Sequence, residues 1–216
     1  MKKIVLSIAL LLVSGITTAQ DYRQLLKEFL KQNQEQHFSR SGLSDFTVDN
    51  EDYSESMKAS VLKLQQTLHG IPVFNGVATA LIKEGKVSYF ADNFVKEVRT
   101  IASPQPELDV ESAFQKVLVI KQISDHNPFE ILLFHEKTSS LQHPVKYRLT
   151  YFLENQELKL GYEFHFHEPQ SSNYWNMIVD ANTGTLLHEQ NLTLSCNFHD
   201  HNQNITEKIT ANKKEN

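Results

Sequence analysis

The chain has 216 residues, a formal net charge of -5 and 40% hydrophobic residues. That length allows one or two small domains. Mixed charges with a slight acidic excess argue against nucleic acid as a partner, because nucleic-acid binding requires a basic face. Cys196 is the single cysteine, so an internal disulfide is excluded and packing must stabilise the fold.

The N-terminal residues predict export. A short basic start, Met1-Lys2-Lys3, precedes an apolar run from Ile4 to Ile16 and the small residues Thr17-Thr18-Ala19. This order is typical of a signal peptide, and we expect cleavage after Ala19. The alternative is an uncleaved membrane anchor, for which the apolar run is short. Residues 1–19 are therefore predicted to be a signal peptide, and the mature chain to be secreted without stable membrane insertion.

The following residues predict a first module at 20–102. A helix is expected from Asp21 to Asn33, because apolar residues recur there at helical spacing. Short connections that contain glycine make the strands after it antiparallel, and the helix is expected to cover their apolar face. The helix stripe comprises Tyr22, Leu25, Leu26, Phe29 and Leu30, and the predicted strands are 45–48, 59–68, 73–83 and 86–94.

An ordered set of motifs in this module carries a family resemblance. The set contains Gln65-Gln66, then Gly70-Ile71-Pro72-Val73-Phe74, then a strand and a hairpin at Gly85-Lys86. In this order they resemble the fungalysin/thermolysin-type propeptide (FTP) module of fungalysin-like secreted zinc metallopeptidases. The resemblance implies that the region assists the folding of a zinc peptidase domain and holds that domain inactive.

Two prolines, Pro104 and Pro106, disfavour helix and predict a linker at 103–108. Asp109 is then expected to cap a helix, with Glu111 near the positive end of the helix dipole. An antiparallel run of strands follows, and the helix is expected to lie across it. The helix stripe comprises Ala113, Phe114, Val117 and Leu118, and the predicted strands are 129–135, 145–153, 157–166, 174–180 and 185–189.

The last two strands are similar to the PepSY signature, in which a strand closes on Asp-Ala-x-Thr-Gly. Asp180 is expected to accept hydrogen bonds from backbone amides ahead of it, and Gly184 to reverse the chain with a positive φ. A PepSY-like or cystatin-like module at 109–196 behind an FTP-like module is the order found in fungalysin-type precursors.

The predicted fold class is therefore α+β, with two small modules that each consist of an antiparallel sheet and a covering helix. Residues 197–216 contain little apolar surface, so they are predicted to form a disordered polar tail.

The catalytic motif of such peptidases is not found in this sequence. Their zinc site needs His-Glu-x-x-His on a helix. The nearest string is His135-Glu136-Lys137-Thr138-Ser139, in which Ser139 replaces the second histidine. Phosphate-binding loops and Gly-x-Ser-x-Gly are absent too. We therefore predict no enzyme activity, no metal site and no cofactor, with the chain either a truncated precursor or a separately encoded prosegment.

A metal site built on His165 and His167 is the competing hypothesis. Alternate residues of a strand share one face roughly 6.5–7 Å apart, so two imidazoles can reach one ion, with Glu163 and Glu168 as oxygen ligands. The favoured interpretation is the solvated outer face of an edge strand, because no third ligand has a characteristic spacing. In the tail, His199-Asp200-His201 is a second candidate.

The predicted function is that of a propeptide whose partner is a zinc metallopeptidase catalytic domain, in cis or in trans. A stand-alone exported peptidase inhibitor and an exported His-rich metal-binding protein remain the alternatives. The extended end of the second module is the first candidate for the contact, and the sheet face of that module is the other. The predicted partner-binding residues are Leu192, Thr193, Leu194, Ser195, Cys196, Asn197, Phe198 and His199.

Overall fold

The computed structural model describes residues 18–33, 37–40, 42–124, 129–137 and 143–194. The predicted tail and most of the predicted signal peptide lie outside these ranges. Among the described residues, no helix combines the length and the apolar character needed to cross a bilayer.

Strands dominate the described fold, which confirms the α+β class. The helices are α1 (Thr18–Asn33) and α2 (Val110–Lys121). The strands are β1 (Phe46–Ser54), β2 (Ala59–Leu68), β3 (Ile71–Lys83), β4 (Lys86–Asp92), β5 (Thr100–Ile101), β6 (Phe129–Leu133), β7 (His143–Glu154), β8 (Glu157–His167), β9 (Tyr174–Asp180) and β10 (Leu186–Asn191).

Strands β1 to β4 form the predicted antiparallel meander, in which each strand pairs with the next. Helix α1 covers its inner face, where Leu26 and Leu30 are buried together with Phe46, Leu62 and Ala80. Strand β1 is longer than predicted. Its later residues are exposed and polar and show no hydrophobic alternation, so the sequence pattern did not indicate a strand there. They are held in the strand by pairing with β2.

Strands β6 to β10 form a second sheet, and α2 lies across its inner face. The Phe114 ring on α2 lies 5.2 Å from the rings of Phe129 and Phe164 and 5.5 Å from that of Phe166, centroid to centroid. Edge-to-face and tilted aromatic contacts of this kind stabilise a core beyond simple area burial. The helix stripe predicted from the sequence is the buried face of α2.

The sequence signals predicted for the start of α2 and for the turn before β10 are confirmed. The Asp109 side chain accepts a hydrogen bond from Ser112 N at 2.6 Å and so caps α2. Asp180 Oδ1 accepts from the amides of Asn182 and Thr183, each at 2.9 Å. Gly184 has φ +72°, the left-handed conformation that reverses the chain into β10.

The expectation that all strands of the second module run antiparallel is wrong for β6. Strand β6 pairs with β7 in parallel, with Ile131 opposite Val145, and β5 also pairs in parallel with β8. The expectation assumed that short connections join neighbours as hairpins. Strands β6 and β7 instead run in the same direction, which excludes a hairpin between them.

The predicted linker at 103–108 is an irregular connection between β5 and α2. Leu108 N donates to Ala181 O at 3.0 Å, and Glu107 N donates to Asn182 Oδ1 at 3.2 Å. These bonds anchor the connection to the turn that precedes β10. The division of the chain into two modules on either side of it stays a prediction.

Candidate partner-binding site

The side chain of Gln66 forms a buried clamp between distant parts of the first sheet. Its Nε2 donates to Leu43 O at 2.6 Å and to Val95 O at 2.8 Å, and its Oε1 accepts from Val95 N at 2.8 Å. The residue is fully buried. Because each polar atom of the amide has a partner, burial of this group is not penalised, and β2 is tied to the segments that flank the meander.

The preceding residue, Gln65, stabilises a bulge in β3. Gln65 is paired with Val77 while Thr67 is paired with Pro72, so residues 73–76 bulge out of the ladder. Gln65 Nε2 donates to Val73 O at 2.7 Å and to Gly76 O at 3.0 Å, which satisfies carbonyls that the bulge removes from the ladder.

Glycine is required at position 76 because of the clamp. A Cβ atom there would lie 2.7 Å from Gln66 Oε1, a separation that forces one of the two residues to move. The bulge and the clamp therefore depend on each other.

The segment Gly70–Phe74 joins the two sheets. Val73 pairs in parallel with Tyr151 of β7, and Thr150 Oγ1 donates to Pro72 O at 3.1 Å. The ring of Phe74 lies 4.9 Å from that of His188, centroid to centroid, on the outer face of the second sheet. The motif that predicted a turn and a buried strand is thus also the joint between the sheets, a role that no local pattern indicates.

A charged cluster lies on the outer face of β7, β8 and β9. Glu163 is 2% exposed, and its Oε2 accepts from Arg148 Nε at 2.7 Å. Its Oε1 lies 3.0 Å from His165 Nε2 and 3.3 Å from Asn176 Nδ2. Burial alone would raise the pKa of this carboxyl, but the hydrogen bond from His165 and the Arg148 charge together hold the pKa below its usual range.

This cluster corrects the interpretation of His165 and His167 as part of a solvated edge strand. Strand β8 lies between β7 and β9, so it is not an edge, and Glu163 is buried. His165 Nε2 is engaged by Glu163, and the ring of His167 lies 4.5 Å from that of Tyr174. Within the described residues, no group of three or more His, Cys, Asp or Glu side chains is placed to hold a metal ion.

Arg148 and Asn176 are members of this cluster that sequence reasoning missed. Asn176 is 6% exposed, and its Oδ1 has no hydrogen-bond partner in the described structure. Their alternation with apolar neighbours matched an ordinary strand, so nothing in the local pattern distinguished them.

The first predicted partner-binding residues lie where the described chain ends. Leu192 N donates to Tyr174 O at 2.7 Å, and Thr193 Oγ1 accepts from Tyr174 N at 2.8 Å. The next residue, Leu194, is 93% exposed. Ser195, Cys196, Asn197, Phe198 and His199 lie outside the described residues, as do His199-Asp200-His201 as a set.

Hydrogen bonds to the Glu168 side chain hold the loop between β8 and β9, next to which this segment lies. Glu168 Oε2 accepts from Asn173 Nδ2 at 2.8 Å and from Trp175 Nε1 at 3.0 Å. These two bonds lower the pKa of Glu168. Lys121 Nζ lies 3.3 Å from the centroid of the Trp175 ring, a cation–π contact that ties the end of α2 to the same loop. The contact segment that begins at Leu192 therefore leaves the fold from a loop whose position is fixed by these contacts.

The string His135-Glu136 lies in the turn after β6 and not in a helix. Glu136 Oε2 accepts from Leu133 N at 2.9 Å, so its carboxylate stabilises that turn.

Comparison with known proteins identifies the first sheet. The family described as the Fungalysin/Thermolysin Propeptide Motif matches residues 44–94. Among solved structures, the chain is similar to the Bacillus megaterium YpeB C-terminal domain, with 15% sequence identity and a TM-score of 0.38 over 84% of this chain and 68% of that one. No curated protein matches the chain.

The matched range begins before β1 and ends just after β4. It contains the clamp residue Gln66 and the bulge-stabilising Gln65, as well as the joint Gly70–Phe74 and the Gly85-Lys86 hairpin. The chain therefore carries the propeptide motif of the fungalysin and thermolysin peptidases at residues 44–94, as its sequence predicted.

Proposed function

We propose that this chain acts as the propeptide of a secreted fungalysin-like zinc metallopeptidase, assisting the folding of the peptidase domain and holding it inactive. The observation that carries the proposal is the match of residues 44–94 to the propeptide motif. The structure supports it further, because the motif residues Gln65, Gln66 and Gly70–Phe74 serve the scaffold itself. The side chains of Gln65 and Gln66 and the main chain of Val73 stabilise the scaffold, which leaves other surfaces to bind a partner.

The physical mechanism is linkage between binding and folding. A surface that binds the native peptidase but not its unfolded chain stabilises the native state, by about 2.7 kcal/mol at a concentration one hundred times Kd. When propeptide and peptidase share one chain, the effective concentration is roughly millimolar, so a modest affinity is sufficient. Removal of the tether then releases the active peptidase.

The contact is proposed to lie at the end of β10 and in the residues after it. Leu194 is the large apolar side chain that the described chain leaves most exposed, at 93%, and Thr193 anchors the backbone just before it. A segment that begins from a fixed base loses less conformational entropy on binding than a free one. The proposed contact residues are Leu192, Thr193, Leu194, Ser195, Cys196, Asn197, Phe198 and His199.

The second sheet with α2 is proposed to be the PepSY-like module of the same propeptide, and the chain is proposed to be exported and to have no catalysis of its own. The closing turn from Asp180 to Gly184 supports the first part, since its hydrogen bonds and positive φ follow the PepSY signature.

Inhibition of a purified fungalysin-like peptidase tests the function. We expect the added chain to inhibit hydrolysis of a peptide substrate at about 10 µM or below, given the affinity that a tethered inhibitor needs. A matched variant, Leu194→Asp, should inhibit less while unfolding at the same urea concentration. Absence of inhibition at tenfold higher concentration would contradict the proposal.

A refolding assay tests the second half of the function. The denatured peptidase domain should recover more activity when the chain is present during dilution than when it is added afterwards. Equal recoveries would remove the role in folding and leave a trans-acting inhibitor, the main alternative.

A further inference from the structure

Strand β1 forms an open edge of the sheet. It pairs with β2 on one side, and no other described strand pairs with it. All residues from Thr47 to Tyr53 are exposed, so no described element covers this part of the strand. Helix α1 contacts the beginning of the edge, where Arg23 Nη2 donates to Phe46 O at 3.3 Å. The edge beyond Phe46 is therefore accessible to another chain.

The direction of the main-chain groups on β1 follows from one hydrogen bond. Thr67 N of β2 donates to Asp45 O at 2.9 Å, so this residue turns its N–H and C=O groups toward β1. These groups alternate between the two sides of a strand, so every second residue of β2 before Thr67 also turns toward β1. The irregularity at Asp49 lies in β1 and does not shift the alternation along β2. Two of the residues that turn toward β1 stand opposite Asn50 and Asp52, which therefore bond to β2.

Glu51 and Tyr53 present their main-chain groups to the open side. They alternate with the residues that bond to β2, so their N–H and C=O groups point away from it. Within the described residues, no hydrogen bond reaches these groups from the open side. Unpaired main-chain groups on an exposed edge are a template for an added strand.

The strand carries negative charge that the described structure does not neutralise. The neutral groups Thr47 Oγ1 and Asn50 Nδ2 donate to two of its carboxylates, at 3.1 and 2.6 Å. Lys63, opposite Asn50 on β2, makes no ion pair among the described residues. Residues 45–56 contain no Lys or Arg, and their acidic members are Asp45, Asp49, Glu51, Asp52 and Glu55.

This charge decides what can pair with the edge. Acidic side chains on an edge strand protect it against pairing between identical chains. In a pair of two β1 strands carboxylates would face carboxylates, which is unfavourable, so a second copy is not the occupant. A basic segment reverses the sign of these contacts and is attracted by the uncompensated charge.

The side chains of β1 define what such a segment carries. Glu51 stands opposite the buried Leu62, so its side chain lies on the face that α1 covers. Asp52 is the next residue and points to the other face. A partner residue lies on the same face as the residue opposite it, so two successive cationic side chains can meet both carboxylates. Tyr53, which is 59% exposed, offers apolar surface to the neighbouring partner residue.

We propose that the open edge of β1 binds an extended segment of a partner protein that carries two successive Lys or Arg residues. The segment pairs antiparallel to β1, which is the more stable direction per residue. Its cationic residues lie opposite Asp52 and Glu51, and the apolar residue before them lies opposite Tyr53. Strand β1 and the strand that leads to Leu192 stand at opposite ends of the strand order. The inference therefore goes beyond the proposed function and does not depend on it.

Titration of the purified chain with acetyl-Thr-Val-Lys-Lys-Val-Thr-amide, followed by amide NMR, tests the proposal. We expect saturable shifts at the amides of Glu51 and Tyr53. Replacement of both lysines of the peptide by glutamate should weaken binding at least about tenfold, because like charges then face each other. Binding of the lysine peptide should also weaken as salt is added, because exposed charges are screened.

Two N-methylated peptides distinguish strand pairing from a general attraction between charges. The second lysine lies opposite Glu51 and donates its N–H to Glu51 O, whereas the N–H of the first lysine points away from β1. N-methylation of the second lysine should weaken binding about fivefold, the effect of one typical hydrogen bond. N-methylation of the first lysine is the matched control and should leave binding unchanged.

Variants of the chain test the two carboxylates. Glu51→Gln combined with Asp52→Asn should weaken binding of the lysine peptide about tenfold, at about threefold for each exposed charge. Both positions are exposed, so the fold should be retained, which far-UV circular dichroism checks. Glu84→Gln changes an exposed carboxylate in the turn between β3 and β4, and it should leave binding unchanged.

Four results would overturn the proposal: no saturable shift at about 10 mM peptide, where even a millimolar Kd would show, equal binding of the lysine and glutamate peptides, equal effects of the two N-methylations, or shifts that map away from β1. None of these results bears on peptidase inhibition by the segment that begins at Leu192. Failure of the β1 edge and failure of the proposed function are therefore distinguishable.

Discussion

The two sheets stabilise their buried polar groups in different ways. In the first sheet, the neutral amide of Gln66 is fully buried and each of its polar atoms has a partner. In the second, the carboxylate of Glu163 is buried against Arg148 and His165, and the neighbouring Asn176 Oδ1 has no partner among the described residues. The first network is complete and carries no charge, whereas the second is charged, sensitive to pH and incomplete.

Replacement of the clamp should have the largest effect. Gln66→Leu removes the partner of the buried Leu43 O and of the partly buried Val95 O and Val95 N. Each such group costs about 1–3 kcal/mol, so the free energy of unfolding should fall by about 3 kcal/mol or more. Urea denaturation followed by circular dichroism measures it. The exposed Gln105→Leu serves as the control and should stay within about 0.5 kcal/mol. Similar losses in both variants would contradict the role of the clamp.

Removal of the Arg148 cation from the charged cluster should lower the free energy of unfolding less than Gln66→Leu does. Arg148→Met leaves the Glu163 carboxylate buried with His165 and Asn176. Because the Arg148 side chain is 36% exposed, we expect a loss of about 2 kcal/mol, below the range for fully buried pairs. The comparison variant Lys159→Met breaks an ion pair with 34% and 39% exposed side chains and should cost about 0.5 kcal/mol or less. Equal losses would mean that burial of Glu163 has no energetic consequence.

Gly76→Ala should lower the free energy of unfolding by about 2 kcal/mol, because its Cβ overpacks the site beside Gln66 Oε1. The same change in a Gln66→Ala background should cost less, which a double-mutant cycle measures. Gly85→Ala is the contrast. There the space is open and φ is +69°, so strain alone should cost about 1 kcal/mol. Additive costs at 66 and 76 would show that the clamp and the bulge are independent.

The charged cluster around Glu163 should make the free energy of unfolding depend on pH, whereas the neutral Gln66 clamp should not. The pKa of Glu163 is lower in the folded chain than its ordinary value of about 4.3. Between these two values the unfolded chain binds more protons, so stability is lost as pH falls from about 5 through the folded pKa. Denaturation midpoints of the wild type and Glu163→Gln should therefore converge at low pH. Gln66→Leu should keep the wild-type dependence of the denaturation midpoint on pH. If Glu163→Gln also kept that dependence, the assignment of the pH effect to Glu163 would be contradicted.

The smallest effect is expected at the base of the proposed contact segment. Thr193→Val removes the hydroxyl that accepts from Tyr174 N and donates to Ser172 O. The bond is peripheral, so global stability should change by less than about 1 kcal/mol. Hydrogen exchange at the Tyr174 amide should accelerate, because its acceptor is lost. Unchanged exchange would mean that Thr193 does not fix the exit of the chain.

Features that depend on a few neighbouring residues were predictable. Strand β2 has the predicted bounds, Asp109 caps α2, and Asp180 to Gly184 forms the expected turn. A cap, a turn and an alternating strand each involve groups within about four residues, so their signal is local.

The candidate site was less predictable. The predicted segment from Leu192 begins at a backbone position fixed by bonds to Tyr174, but those bonds depend on where β9 and the loop before it lie. The parallel direction of β6 and the central position of β8 follow from connections and pairings across the whole sheet. An alternation pattern reports which residues share a face and not what lies against that face.

The sequence by itself determined the motif order from Gln65 to Gly85, and with it the match of residues 44–94 to the Fungalysin/Thermolysin Propeptide Motif. Only the tertiary structure decided what those residues do. Gln66 finds its partners 23 and 29 residues away, and Thr150 reaches Pro72 across 78. Burial of Glu163 likewise needs β7 and β9 on either side of β8. Contacts at such separations depend on how the sheets assemble, because the residues between them can vary without altering either local pattern.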